Sequence, residues 1–403
     1  MAAAGGAVRV VSVNLCVLAS GLTNRYLPRQ LLLASAAGAV ALALCLSPSA
    51  GPLSRGHALL LVPLALPAVC WALGVPLARA LGALLGRGCG LDDFKRQRVD
   101  LFLQLLRESS DLADADVVCV QECYGALLCP GGYPRRLAEG AAALGYVHAV
   151  VPSRCPFFPA WLALNSGLLI LSRRRIVSFA ELAFGIHTEA GNVNRGAMHA
   201  ELEGGLHVFT THMSPCPDVT GAFAGVVGPL FDMSRRRQTA ELARFVSERA
   251  PPGSPAVLAG DLNLDVSFGA AAAPAPSAYA VRLLVRLAAE CGLVHAAAQA
   301  RGTTGAGAAW APGGADGRAL ETLRLCRPTF GYAEGCPGSA ERWLTSYGKG
   351  GPQQLKCDDA ILSRGLVAVD FQELPLALPE HLRPHPRVTH LSDHWAVRAT
   401  LRP

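Results

Sequence analysis

Charge is what this sequence has least of. Asp, Glu, Lys and Arg make up 16% of its 403 residues, against roughly 25% in an average soluble chain. With apolar types at 51% and a mean hydropathy of +0.31, a disordered, charge-rich chain is excluded, and apolar surface beyond one soluble core is expected. Neither sign dominates: 36 Lys and Arg against 30 Asp and Glu leave +6. That is too little to infer a nucleic-acid partner, though compatible with an anionic surface. No Cys-x-x-Cys occurs among the 13 cysteines, and Cys119 and Cys123 lack a second ligand pair. A structural zinc site is not expected, and the thiols read as reduced and cytosol-facing. The first residues, MAAAGGAVRVVSVN, lack the basic-then-apolar pattern of a signal peptide. Serine nucleophile elbow, Walker A loop and His-Glu-x-x-His are all missing, so those mechanisms lose support. The 42 Gly and 28 Pro argue against a simple helical bundle.

What is present is an interleaving of strands and helices, which predicts an α/β fold. Apolar runs at 8–15, 116–122, 166–174, 207–213, 256–263, 355–363 and 392–401 read as strands or strand edges. Residues 92–110 and 234–250 read as helices. Two longer apolar segments, 31–46 and 58–78, interrupt this order. The second contains Pro63, Pro67 and Pro76, yet reaches the ~20 residues a bilayer crossing needs. Arg25, Arg29, Arg79, Arg87, Lys95, Arg96 and Arg98 flank the pair, and the linker carries only Arg55. The positive-inside rule then puts both flanks in the cytosol. If strand 8–15 joins the same sheet as the later strands, both flanks lie on one side and an odd number of crossings is excluded. Residues 27–90 are therefore expected to form a membrane-associating insert within one domain spanning 1–403.

Polar residues recur where apolar strands end: Asn14, Glu122, His212, Asp261, Asn263, Asp359, Asp393 and His394. A carboxylate closing one buried strand is usually a turn residue, but many strands ending this way point to a ligand site. The set suits phosphodiester hydrolysis. Carboxylate oxygens hold a hard divalent cation, a neutral histidine deprotonates water, and a partner carboxylate fixes its tautomer. A second histidine and amides can stabilise charge on phosphoryl oxygens. His295, His381 and His390 read as loop or surface residues.

The chain resembles the endonuclease/exonuclease/phosphatase superfamily and, within it, the membrane-associated neutral sphingomyelinases. The motifs are SVNLCVLASGL around Asn14, VVCVQE ending at Glu122, LNSGLLILSRRRI (164–176), NRGAM (194–198), TTHM (210–213), AGDLNLD (259–265), DDAIL (358–362) and LSDHWAV (391–397). The resemblance implies a DNase I-like four-layer α/β sandwich, with a hydrophobic helical hairpin inserted. It also implies Mg²⁺-dependent hydrolysis of sphingomyelin to ceramide and phosphocholine, with Mn²⁺ as an alternative metal. Glu122 resembles the principal metal ligand, Asp393 the carboxylate beside the metal, and Asn14 the residue orienting phosphate and metal-bound water. Asp261 and Asn263 resemble the pair positioning water and phosphate. His394 resembles the general base or acid, with Asp359 as its partner, and His212 the second histidine. The implied partners are sphingomyelin in a bilayer and an anionic phospholipid activator, with the catalytic domain facing the cytosol and no nucleic acid. Oligomeric state is left open.

Two departures accompany the resemblance. Related membrane enzymes carry an Asp–Lys activation pair five residues apart, whereas this chain has Ala190 and Arg195. Their apolar segments precede the catalytic strand, whereas here they follow Asn14. The rival readings are another superfamily chemistry, as nuclease, deadenylase or inositol-phosphate phosphatase, and a non-catalytic membrane scaffold.

Overall fold

The structure is a computed structural model that describes residues 6–17, 95–125, 132–152, 165–185, 194–214, 224–264, 276–301, 357–384, 390–392 and 394–403. The strands are β1 (Val8–Val17), β2 (Val117–Cys123), β3 (His148–Val150), β4 (Leu169–Ser172), β5 (Ile176–Ala183) and β6 (Gly196–Leu202). They continue with β7 (Leu206–His212), β8 (Ala256–Asp261), β9 (Val294–His295), β10 (Asp359–Arg364), β11 (Val367–Leu374) and β12 (Ala396–Arg402). The helices are α1 (Lys95–Glu108), α2 (Ser110–Ala113), α3 (Gly132–Ala142), α4 (Ala224–Arg249), α5 (Pro276–Cys291) and α6 (Ala296–Ala300). Two six-stranded mixed sheets result, ordered β11-β12-β1-β2-β4-β3 and β5-β6-β7-β8-β10-β9.

Strand alternation decides what lies between the sheets. In β1, Val8 and Val10 face the second sheet, while Val11, Val13 and Leu15 face helix α1. The inner core adds Cys119, Ile170, Met198, Val208, Val257, Ile361 and Val397. On one outer face, Phe102, Leu105 and Leu106 of α1 and Tyr133 and Leu137 of α3 cover the first sheet. On the other, Leu242, Phe245 and Val246 of α4 and Leu284 and Leu287 of α5 cover the second. The expected four layers are present: helix, sheet, sheet, helix. Each fully buried Leu or Phe contributes about 2 kcal/mol.

β1 lies between β12, which pairs with it antiparallel, and β2, which pairs with it parallel. The first strand thus joins the same sheet as the later strands. The Arg98 guanidinium of α1, 1% exposed, donates to Leu15 O at 3.2 Å. The chain thus leaves β1 and re-enters through α1 at the same end of the sheet. The apolar insert expected at 27–90 lies outside the described residues, as do Asp393 and Ala190. Among the described residues no helix is long and apolar enough to cross a membrane.

Two expectations are corrected. Helix α4 starts ten residues before Ser234, which is buried inside it, and carries Pro229 as its sixth residue. His295 is 1% exposed, not a surface residue, and its Nδ1 accepts from Ala297 N at 3.3 Å, capping α6. A short capping side chain between two elements reads as loop in sequence but is buried by the strand beside it. The cysteines Cys119, Cys123, Cys291 and Cys357 are buried and form no disulfide with one another.

Candidate active site

Parallel pairing brings the C-terminal ends of β1 and β2 side by side, with Asn14 opposite Gln121. In the facing sheet it aligns the ends of β7 and β8, with His212 opposite Asp261. β10 runs antiparallel to β8, so its first residue, Asp359, also lies opposite Asp261. Six of the eight expected residues, Asn14, Glu122, His212, Asp261, Asp359 and His394, are gathered here, with Asn263 at the margin and Asp393 outside the described residues.

Asp261 is the hub. Its Oδ2 accepts from Asn14 Nδ2 at 2.9 Å and faces His212 Nε2 at 3.3 Å and His394 Nε2 at 3.9 Å. Its Oδ1 accepts from Asn263 N at 2.9 Å. Burial opposes the charge on this carboxyl, but the charge and hydrogen bond of His212, then the charge of His394 and the Asn263 N–H, more than offset it. Its pKa is held well below the usual carboxylate range. Asn263 sits at a left-handed φ of 48° and donates through Nδ2 to Met213 O at 2.8 Å. Asn tolerates this conformation better than most residues, which explains its place two residues after Asp261.

His394 Nδ1 lies 2.8 Å from Asp359 Oδ2. An ionised carboxylate only accepts, so Nδ1 carries the proton and Nε2 is left able to accept one. Nε2 is 3.4 Å from Asn14 Nδ2. Ser392 Oγ donates to Asn14 O at 2.7 Å and accepts from His394 N at 3.2 Å, tying the segment before β12 to β1. Asp358, the neighbour of Asp359, instead offers its carbonyl to Leu262 N at 2.9 Å.

Glu122 differs from the other carboxylates. Its side chain is 16% exposed, and its Oε1 lies 3.7 Å from His212 Nε2. Its φ of 56° is left-handed. Such strain collects at functional sites.

Beneath the site lies a polar layer that the motifs did not single out. Gln121 Nε2 donates to Thr210 Oγ1 at 2.9 Å and to Ser12 Oγ at 3.2 Å, joining the two sheets. All three residues are fully buried. The signal was available: each stands one or two positions before a site residue, inside an apolar run.

The donor set fits a divalent cation such as Mg²⁺. Glu122 presents a carboxylate with no hydrogen bond among the described residues. Asp261, Asp359 and His394 bring ligand atoms within 4.8 Å of one another. Oxygen donors of this kind suit a hard cation.

Comparison with solved structures finds distant likenesses. Sphingomyelinase C from Streptomyces griseocarneus is 15% identical, covering 98% of this chain and 99% of its own at a TM-score of 0.47. A beta toxin variant from Staphylococcus aureus with bound magnesium ions is also 15% identical, covering 98% and 99% at 0.47. TDP2 from D. rerio, complexed with a single-strand DNA product, is 15% identical, covering 78% and 95% at 0.44. No curated protein matches the chain. The family model for the endonuclease/exonuclease/phosphatase family matches residues 89–394. With three quarters of its length matched, the chain belongs to the endonuclease/exonuclease/phosphatase family.

Proposed function

We propose that this protein is a Mg²⁺-dependent phosphodiesterase that hydrolyses sphingomyelin to ceramide and phosphocholine at a membrane. The observation that carries the hydrolytic reading is the oriented pair His394–Asp359, set against Asp261, Asn14 and His212 at one end of both sheets. Sphingomyelin as the substrate is supported by the motif series from SVNLC to LSDHW. The apolar stretch inserted after β1 supports action at a membrane.

In this reading His394 Nε2 takes a proton from a water held near Asp261 and Asn14. The water oxygen forms the new bond to phosphorus as the bond to the ceramide oxygen breaks, with no covalent enzyme intermediate, and the ceramide oxygen leaves with the bonding pair and takes its proton from solvent. Asp359 holds the ring and offsets its positive charge once protonated. His212 stands where charge on the phosphoryl oxygens needs stabilising. Glu122 would hold the metal with Asn14, and Asp393 is the further carboxylate that the motif series offers for it. When bound, Mg²⁺ offsets phosphate charge and stabilises the leaving oxygen. Mn²⁺ is the alternative, and an anionic phospholipid is the proposed activator.

The test is phosphocholine release from sphingomyelin vesicles, with Mg²⁺ or EDTA, for the wild type and His394→Ala. Release that needs Mg²⁺ and vanishes in His394→Ala is expected. No release, with or without anionic lipid, overturns the sphingomyelin reading and directs the assay to nucleic acid and inositol phosphates. The insert reading, with the catalytic domain on the cytosolic side, is tested by deleting residues 31–86. The shortened chain is expected to stop pelleting with membranes, and continued pelleting sinks that reading.

A further inference from the structure

The LNSGLL motif contributes no side chain to the chemistry above, yet it lies against a strand end that departs from regular geometry. β2 and β4 pair antiparallel from Val117 opposite Ser172 to Val120 opposite Leu169. Past that point Cys123 N donates to Gly167 O, and Asn165 N to Gly125 O, each at 2.9 Å. From Val120 to Cys123 the β2 chain advances three residues. The facing chain advances two, from Leu169 to Gly167. One surplus residue therefore sits in β2, a bulge of the kind that re-aims a side chain. Glu122, with its left-handed φ, is within it.

The bulge has a direct consequence for Glu122. Regular alternation would send it to the helix side with Val118 and Val120. Instead its carboxylate approaches His212 across the inter-sheet space, and Cys123 takes the helix-side place. A left-handed glutamate persists only where its surroundings over-determine it. Asn165 supplies that constraint. It is fully buried, and its Oδ1 accepts from both Gly125 N at 2.9 Å and Gly167 N at 3.0 Å. Gly167, at φ 65°, lets the backbone pass against Tyr124, whose ring would be 2.7 Å from any Cβ there.

We infer that Asn165 is a positioning residue: by clamping the bulge it aims the Glu122 carboxylate into the site and sets its affinity for the divalent cation. The inference rests on the reading of Glu122 as a cation ligand, and the experiment separates the two. Mg²⁺ binding to the full chain is measured calorimetrically, alongside the Mg²⁺ dependence of turnover, for Asn165→Ala, Gly167→Ala and Glu122→Gln. Partners that orient a metal ligand typically govern about 10- to 100-fold of metal affinity. Both clamp variants are expected to weaken Mg²⁺ binding at least tenfold, with a smaller loss of kcat at saturating Mg²⁺. Adding Asn165→Ala to Glu122→Gln is expected to cost little more. A merely structural role would lower Tm and leave Mg²⁺ affinity in place, which overturns the inference. Unchanged affinity in Glu122→Gln overturns the cation reading and this inference with it. Weakened affinity in Glu122→Gln alone overturns only the clamp. Gly167→Ala reaches the bulge from the other strand, so the question is answered even if Asn165→Ala does not fold.

Discussion

Gly260→Ala is the most searching test of how the sheet builds the site. Gly260 lies opposite Thr211 where β7 and β8 run parallel, one register step below the His212–Asp261 pair. Its φ is 155°, and a Cβ there would fall 2.2 Å from Thr211 O and 2.9 Å from Thr211 N. Carbon and carbonyl oxygen approach to about 3.3 Å, so β8 has to retreat by about 1 Å. Both obstructing atoms are backbone, so no rotamer change relieves the contact. The retreat carries Asp261 away from His212, now 3.3 Å from it, beyond hydrogen-bond reach. Overpacking of this kind costs about 1–3 kcal/mol, which lowers Tm by several degrees in a chain of this size. Displacing reacting groups by about 1 Å costs about 100-fold in rate. The assay is phosphocholine release at saturating Mg²⁺, well below both melting transitions, with Gly204→Ala as control. Gly204 also has a positive φ, 93°, but nothing lies within 4 Å of its added Cβ. The control is expected to keep its rate while Gly260→Ala loses two orders of magnitude. A Gly260→Ala rate within a few-fold of wild type would refute the argument that the close β7–β8 contact sets the site.

Two further predictions follow from the same geometry. Asp359→Asn presents an amide to His394 Nδ1 and favours the tautomer with the proton on Nε2, so kcat is expected to fall by about 10⁴; a loss under tenfold removes Asp359 from the base's support. Burial, then the charges of His207 and Arg249, hold His199 down to about 4 from its ordinary 6.5. The unfolded chain therefore binds the extra proton first as pH falls. Stability present at neutral pH is lost between about pH 6.5 and 4, by roughly 2–3 kcal/mol. Urea titrations of His199→Gln should show a shallower loss over that window, and equal slopes in both proteins would count against a buried neutral His199.

Seven strands were legible in the sequence because they are apolar runs closed by a polar residue. β1, β2, β7 and β8 end in the residues that meet at the site, and β10 begins with one. The four edge strands, β3, β5, β9 and β11, were not legible. β5 and β11 are mostly half-buried or exposed along their length, and β3 and β9 span three and two residues, so no clear period marks them. β6 was missed because His199 and Glu201 interrupt its apolar pattern. Which polar residues gather at the sheet ends could be read from motif and position. How Glu122 enters the site could not, because the surplus residue in β2 appears only when its partner strand is known. His295 misled for the opposite reason: a polar residue between short elements reads as exposed until the sheet closes over it.

The placement of β1 between β2 and β12 also governs when the protein becomes competent. Val8 pairs with Leu401, and Asn14 comes within 3.4 Å of His394 across 380 positions of chain. Closing a loop that long costs on the order of 5 kcal/mol in chain entropy, recovered only when the final strand docks. During synthesis the first strand waits, one edge unpaired, while every later element emerges. The apolar stretch after β1 leaves the ribosome long before His394 exists. Folding therefore ends with the same event that brings His394 beside Asn14 and Asp359.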